Sequence, residues 1–307
     1  MTSSPTLTAP LAELNAQYAR PSVSFVEGHG GLPFIQVNNS QADALISIYA
    51  GQVLAFKPKQ TTELLFVSEK AYYQPGKAIK GGVPICWPWF GADPQGLGRA
   101  AHGFVRNRAW QVAATGETAE GATQVTLCLT DSPDTQAIWP YPFKLTLEIT
   151  VGSSLRLALS TENTGPTDFV ITQALHTYFA VGDITQVQIT GLENTPYIDK
   201  AAAGQGAIKQ QIGAVTVSEE VDRIYTQAPA TLRIVDAALQ RTIQIDSIGN
   251  QSAVVWNPWE KITAGMADLK ADDYLRFVCV ETTNAADDSV TIPAGQIRQL
   301  IAEYTVI

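Results

Sequence analysis

The sequence is short of the residues that many chemistry-bearing motifs use. Its three cysteines, Cys86, Cys128 and Cys279, stand far apart with no CxxC spacing. That excludes a disulfide framework and points to a reducing compartment, the cytoplasm. Charged residues make up only 16% of the chain and balance to −9. Nucleic acid needs an extended basic face and is excluded as a partner. No apolar run reaches the about 18 residues of a membrane span, so no membrane partner is expected. The opening MTSSPTLTAPLAEL has neither a basic start nor an apolar stretch, and no secretory signal is read there. The motifs GxSxG, GxxxxGK(S/T) and HExxH are missing, as is a dinucleotide-type glycine fingerprint. Serine-elbow hydrolysis, phosphate-loop chemistry, zinc-protease chemistry and nicotinamide redox are set aside with them.

What is present concentrates in Lys80–Arg108, KGGVPICWPWFGADPQGLGRAAHGFVRNR. Pro84, Pro88 and Pro94 remove backbone donors, and the glycines permit positive φ. The segment reads as a long connection rather than a regular core element, and such loops tend to carry function. From Lys77 to Arg108 five bases face one acid, a balance of +4 in an otherwise acidic chain. A positive loop of this kind suits an anion.

The rest reads as strands. A short helix carries Leu11, Leu14 and Tyr18 on one face, with Thr8 as its cap and Pro21 beyond its end. Strands follow around Val23–Phe25, Phe34–Val37, Ala44–Lys57 (two, around Gly51) and Leu64–Val67. Phe143–Val151 and Leu155–Leu159 alternate strictly across a Gly152-Ser153 turn, so one face of each is buried. Further strands are read at Trp110–Ala113, Val125–Leu129, Phe169–Phe179, Val187–Ile189, Ile212–Val217, Thr231–Val235, Thr242–Asp246, Ala253–Trp256, Leu275–Glu281 and Gln299–Val306. Met266–Lys270 has weak helical periodicity. Many short strands with turns between them predict an all-β protein, a large antiparallel β-sandwich. Residues 1–21 form a helical extension and residues 22–307 one domain.

Few groups can carry acid–base chemistry. His29 sits in a GHGG turn and reads as an exposed loop residue. His102 lies in the positive loop. His176 lies on an apolar strand, where a structural and a functional role are equally open. Glu281 closes a row of Leu275, Phe277 and Cys279 on one strand face; a desolvated carboxylate there has the raised pKa of a general base, whereas a strand-end carboxylate would simply face water. Arg106 and Arg108 share a side if their segment is extended, and could fork onto phosphate or pair with surface acids. Asp222-Arg223 could bind a hydroxyl or pair locally. The six tryptophans could stack on sugars, but fit a sandwich core better. Asp272-Asp273 and Asp287-Asp288 read as solvated pairs rather than cation sites.

Taken in order, GGVPICWPWFG, HGFVRNRAW, QALHTYFAVGDI, VDRIY, VVWNPW and YLRFVCVETTNA resemble the D-hexose-6-phosphate mutarotases, the glucose-6-phosphate 1-epimerase branch of the aldose 1-epimerase superfamily. The likeness runs from about residue 22 to the end. It implies the galactose mutarotase-like sandwich, with His176 as catalytic acid and Glu281 as base. It implies that Arg106, Asp222 and His102 bind substrate, with Lys80 standing where the family has arginine. Ala101 stands where a glutamine is common, and Arg99 or Arg108 would have to compensate. The implied reaction interconverts the anomers of a hexose 6-phosphate, needs no cofactor or metal, and is carried out by a monomer on a small sugar phosphate. The alternatives are an aldose 1-epimerase for unphosphorylated hexoses and a non-catalytic carbohydrate-binding protein.

Overall fold

Strict alternation along Phe143–Val151 and Ser154–Asn163 sends Leu145, Leu147, Ile149, Leu155, Leu157 and Leu159 to one side, where they are fully buried. Each such burial contributes about 1.5–3 kcal/mol. The two strands are the heart of an eight-stranded antiparallel sheet. Its order is Val187–Thr190, Thr231–Asp236, Arg241–Ile248, Ile297–Val306, Ser154–Asn163, Phe143–Val151, Thr123–Thr130 and Gln111–Glu117. The computed structural model describes residues 9–307.

A second sheet faces this one across the core. It runs Ala207–Gln210, Pro196–Asp199, Val221–Tyr225, Ser252–Asn257, Phe277–Asn284, Gln173–Leu175 and Ile85–Cys86, and Tyr178–Ala180 also pairs with Phe277–Asn284. Val221, Tyr225, Val255, Val278 and Val280 point from it into the shared core. A four-stranded sheet, Val23–Glu27, Pro33–Asn38, Ala42–Ser47 and Gln52–Pro58, and a two-stranded ribbon, Phe169–Ile171 with Val290–Ile292, complete the sandwich. All the strand pairings of the sheets among the described residues are antiparallel, as expected of an all-β sandwich.

The helix Leu11–Tyr18 forms where expected. The Asn15 side chain docks it by donating to Phe25 O (2.7 Å) and accepting from Phe25 N (3.0 Å). Thr8, the expected cap, lies outside the described residues, and Pro10 occupies the cap position without a side-chain bond.

Several expectations are corrected. Ile212–Val217 is not a strand: Ile212 is 89% exposed, and Val215 makes only an isolated bridge to Ile189. The partner strand there is Ala207–Gln210, exposed along its length and so without any alternation to read. Phe169–Phe179 is three short strands rather than one. It is interrupted because the Lys80–Arg108 segment runs beside it: Thr172, His176 and Tyr178 donate their amides to Pro88, Pro84 and Gly82. That segment is therefore partly regular. Ile85–Cys86 is a buried edge strand and Trp87 is fully buried, because an edge tolerates prolines that only accept. Met266–Lys270 forms turns, whereas short helices form at Pro133–Ile138, capped by Ser132, and at Trp259–Thr263. The tryptophans largely follow the core reading: Trp87, Trp89, Trp110 and Trp139 are buried. Gly103 turns with φ +71° and lies against the Trp87 backbone, so closely that any Cβ would collide with the Trp87 carbonyl oxygen.

Candidate active site

The candidate acid–base groups lie on the face of this second sheet, the inner one, that points away from the core. On Val221–Tyr225 the side chains of Asp222 and Ile224 point away from the core. Trp256 and Val254 lie beside them on the next strand, followed by Cys279 and Glu281. The segment from Leu175 to Phe179 alternates in the same way. Leu175 and Phe179 join the core, and Thr177 meets the Tyr304 hydroxyl of the opposite sheet at 2.5 Å. His176 and Tyr178 project outward, their rings stacked with centroids 5.0 Å apart and 9° between planes. Sheet register thus brings Asp222, Glu281 and His176 onto one surface.

The Lys80–Arg108 segment covers that surface and encloses a cavity of about 430 Å³. All six residues singled out from the sequence line it: Lys80, His102, Arg106, His176, Asp222 and Glu281. On its floor His176 Nε2 lies 3.4 Å from Glu281 Oε1. Glu281 is 2% exposed and His176 8%. Burial, helped by Asp222, raises the Glu281 pKa well above the usual carboxylate range, although Arg106 opposes it. Burial, with the positive groups nearby, lowers His176 well below the usual imidazole range. Both groups are pushed toward their neutral forms. His176 Nδ1, Glu281 Oε2 and Arg106 Nε are buried without a protein hydrogen-bond partner. Buried polar groups of this kind are costly unless satisfied, so the cavity is built for a polar ligand.

His102 accepts from Gly91 N at Nδ1 (3.3 Å), which leaves its proton on Nε2. Burial first, then Arg106 and Lys80, holds its pKa down to about 3, so it is a neutral donor. Asp222 is raised to about 6, chiefly by burial, with Glu220 adding to the shift and Lys200 opposing it. Arg106 is oriented by donating from Nη2 to Ala101 O (2.9 Å). A backbone carbonyl thus does the holding at position 101, whatever its side chain. Lys80 pairs with Asp268 at 3.4 Å.

The structure separates other candidates from the site. Arg106 lies in a 3-10 turn, Val105–Asn107, so Arg106 and Arg108 do not share a side. Arg108 and Arg99 line a different, larger cavity of about 640 Å³ on the far side of the segment, and neither replaces a contact at Ala101. Arg99 is occupied by Asp93 and lies over the Trp89 ring. That cavity has greater size but no acid–base pair. Arg223 bonds to Gln211 and stacks on Tyr197, away from the site. His29 is exposed. Asp273 and Asp288 are not merely solvated: they accept from Ser68 and Lys270, and from Gln251, Ser252 and Asn284.

Sequence reasoning missed Lys200, Tyr178 and Trp256 as cavity residues. Tyr178 and Trp256 had a signal in their i+2 spacing from His176 and Val254. Lys200 follows the strand Pro196–Asp199, where its amide donates to Asp222 O and extends the strand pairing by one residue; a short strand end of this kind gives little alternation to read.

Fold and site together define a mutarotase-type isomerase on a galactose mutarotase-like sandwich. Comparison with known proteins agrees. Residues 33–305 match the aldose 1-epimerase family, and the chain belongs to it. A relative from Escherichia coli (strain K12) is 37% identical over 257 residues, covering 83% of this chain and 84% of the relative. One from Cenchrus ciliaris is 34% identical over 289 residues, covering 91% and 86%. Both carry the provisional name glucose-6-phosphate 1-epimerase. The crystal structure of YeaD from Salmonella typhimurium, provisionally a mutarotase, superposes with a TM-score of 0.85 at 33% identity, covering 94% of each chain.

Proposed function

We propose that this chain interconverts the α and β anomers of a hexose 6-phosphate, glucose 6-phosphate foremost, with His176 as acid and Glu281 as base. The observation that carries the reading is the 3.4 Å contact between His176 Nε2 and Glu281 Oε1 on the buried floor of a cation-walled cavity. Glu281 takes the proton of the C1 hydroxyl and His176 gives one to the ring oxygen. The C1–O5 bond breaks and the open-chain aldehyde forms. Rotation about C1–C2 presents the other face. On closure, Glu281 returns its proton to the aldehyde oxygen and His176 recovers one from the O5 hydroxyl. The pair shares one proton, held on Glu281 when both are neutral and passed across the 3.4 Å contact to His176 to form the reactive carboxylate and imidazolium. Opening returns both to their neutral forms, the direction in which burial pushes them. Each positioned group contributes about 10²–10⁴-fold.

Arg106 offers a planar fork to the phosphate, with Lys200 and Lys80 beside it, although Lys80 is shared with Asp268. Asp222 and His102 accept from and donate to sugar hydroxyls. These cations favour a phosphorylated sugar over a plain hexose. The acid–base pair favours an enzyme over a non-catalytic carbohydrate-binding protein. Exchange NMR on the equilibrium anomers of glucose 6-phosphate and of glucose tests both points. Fast enzyme-dependent exchange is expected for the phosphate and slower exchange for glucose. Equal rates would remove the phosphate assignment, and no exchange in either would remove the enzyme.

The same reading treats residues 22–307 as one domain, with 1–21 as an extension. Supporting one domain, a continuous apolar core runs from Val23 to Tyr304, and Leu14 of the extension packs against it. It also takes the protein as a cytoplasmic monomer. The cysteines are free, and no helix among the described residues is long and apolar enough to cross a membrane. Light scattering on the eluting protein tests the monomer.

A further inference from the structure

One fully buried group behind the cavity floor has no part in the reaction above. Cys279 lies two residues before Glu281 on the same strand face, and its register partner across the sheet is Tyr178. Its Sγ, one nitrogen of His176 and one carboxylate oxygen of Glu281 all lie within 4.8 Å of one another. The three residues are buried.

We propose that Cys279, His176 and Glu281 form a binding site for a borderline-soft divalent cation such as Zn²⁺, and that the bound ion blocks the sugar. The donor set is sulfur, nitrogen and oxygen, which selects Zn²⁺ or Co²⁺ over Mg²⁺ or Ca²⁺. Zinc bonds to nitrogen and oxygen of about 2.0–2.2 Å give a tetrahedral edge of about 3.4 Å. The observed Nε2–Oε1 separation is 3.4 Å, so two of the three donors already stand at ligand spacing. Three protein ligands leave one tetrahedral position for water, and two of the three, His176 and Glu281, line the cavity. Charge also balances. The ion enters as +2, and the thiol proton and the one proton shared by His176 and Glu281 leave to water. The site then holds a thiolate, a carboxylate and a neutral imidazole around the cation, with no net charge buried. Inhibition follows because both acid and base become ligands. That half of the proposal rests on the function proposed above, whereas the binding half does not.

The test is titration of the whole protein with Co²⁺ under reducing conditions. One equivalent is expected to give a near-ultraviolet thiolate-to-cobalt band and the visible bands of a tetrahedral ion, with Zn²⁺ displacing it. Cys128→Ser should retain the thiolate band, and Cys279→Ser and Cys279→Ala should lose it. Zn²⁺ is expected to suppress anomer exchange in competition with glucose 6-phosphate, reversibly with chelator, and Mg²⁺ to have no effect. No thiolate band in the wild-type protein, or a band that persists in folded Cys279→Ser, would overturn the site. A band without inhibition of a protein that does catalyse exchange would overturn the blocking role. A band in a protein showing no exchange would sink the proposed function and leave the metal site standing.

Discussion

The two eight-stranded sheets share a core but differ in what covers their other face. On the outer sheet, Phe143–Val151 alternates buried and open positions, and Lys144 and Glu148 meet solvent. On the inner sheet, Phe277–Asn284 is buried at every residue. The difference is cover: the Lys80–Arg108 segment lies over Glu281 and His176, and Phe66, Met266 and Leu269 cover Phe277 and Cys279. Glu148, on the open face of the outer sheet, is solvated. Glu281, on the covered sheet, has its pKa raised well above the usual carboxylate range. Cover rather than strand type makes the chemistry.

Changing the covered face should have the largest effect. Glu281→Gln is expected to slow anomer exchange about 10²–10⁴-fold while sugar phosphate still binds. The same variant should be more stable than the wild type at alkaline pH. The folded pKa of Glu281 is raised, so the folded state holds a proton that the unfolded chain has lost above its ordinary value. Stability therefore falls as pH rises through that window, and glutamine escapes the loss. Melting curves from pH 4 to 8 should show the gap between the two proteins opening with pH.

In the shared core, Leu147→Ala should cost about 2–5 kcal/mol in denaturant unfolding and leave KM unchanged. At the cover itself, Arg106→Ala removes a charged donor, an interaction of about 1.5–3 kcal/mol. KM for glucose 6-phosphate should rise accordingly, with little change for glucose. Asp222 titrates near 6, so sugar affinity should weaken as pH falls through that value, and Asp222→Asn should flatten the profile. The smallest effect belongs to the open face. Glu148→Gln should shift stability by no more than about 0.5 kcal/mol and activity not at all. A large effect there would erase the contrast between the sheets.

The same contrast governs what could be read in advance. Phe143–Val151 and its partner were legible because one wet face leaves a period of two in the residues. Glu281 and His176 were legible through the resemblance and through the row Phe277, Cys279, Glu281. Leu275 was read into that row, but it lies in a 3-10 turn before the strand begins. The strand Ala207–Gln210 was missed because exposure on all sides erases alternation. The alignment of Arg106 with Arg108 failed because a tight turn replaces the extended backbone it required. Lys200 reaches the cavity by extending the short strand Pro196–Asp199 opposite Asp222, a strand too short to be recognised in the sequence.

Gly103 sits between His102 and the turn that carries Arg106, pressed against the Trp87 backbone. For anyone redesigning this pocket, the side chains at 80 and 106 reach the cavity directly. Position 103 is closed. A methyl group there would lift the whole covering strip off its seat, so an engineer would lose imidazole and guanidinium placement together from one substitution that touches neither.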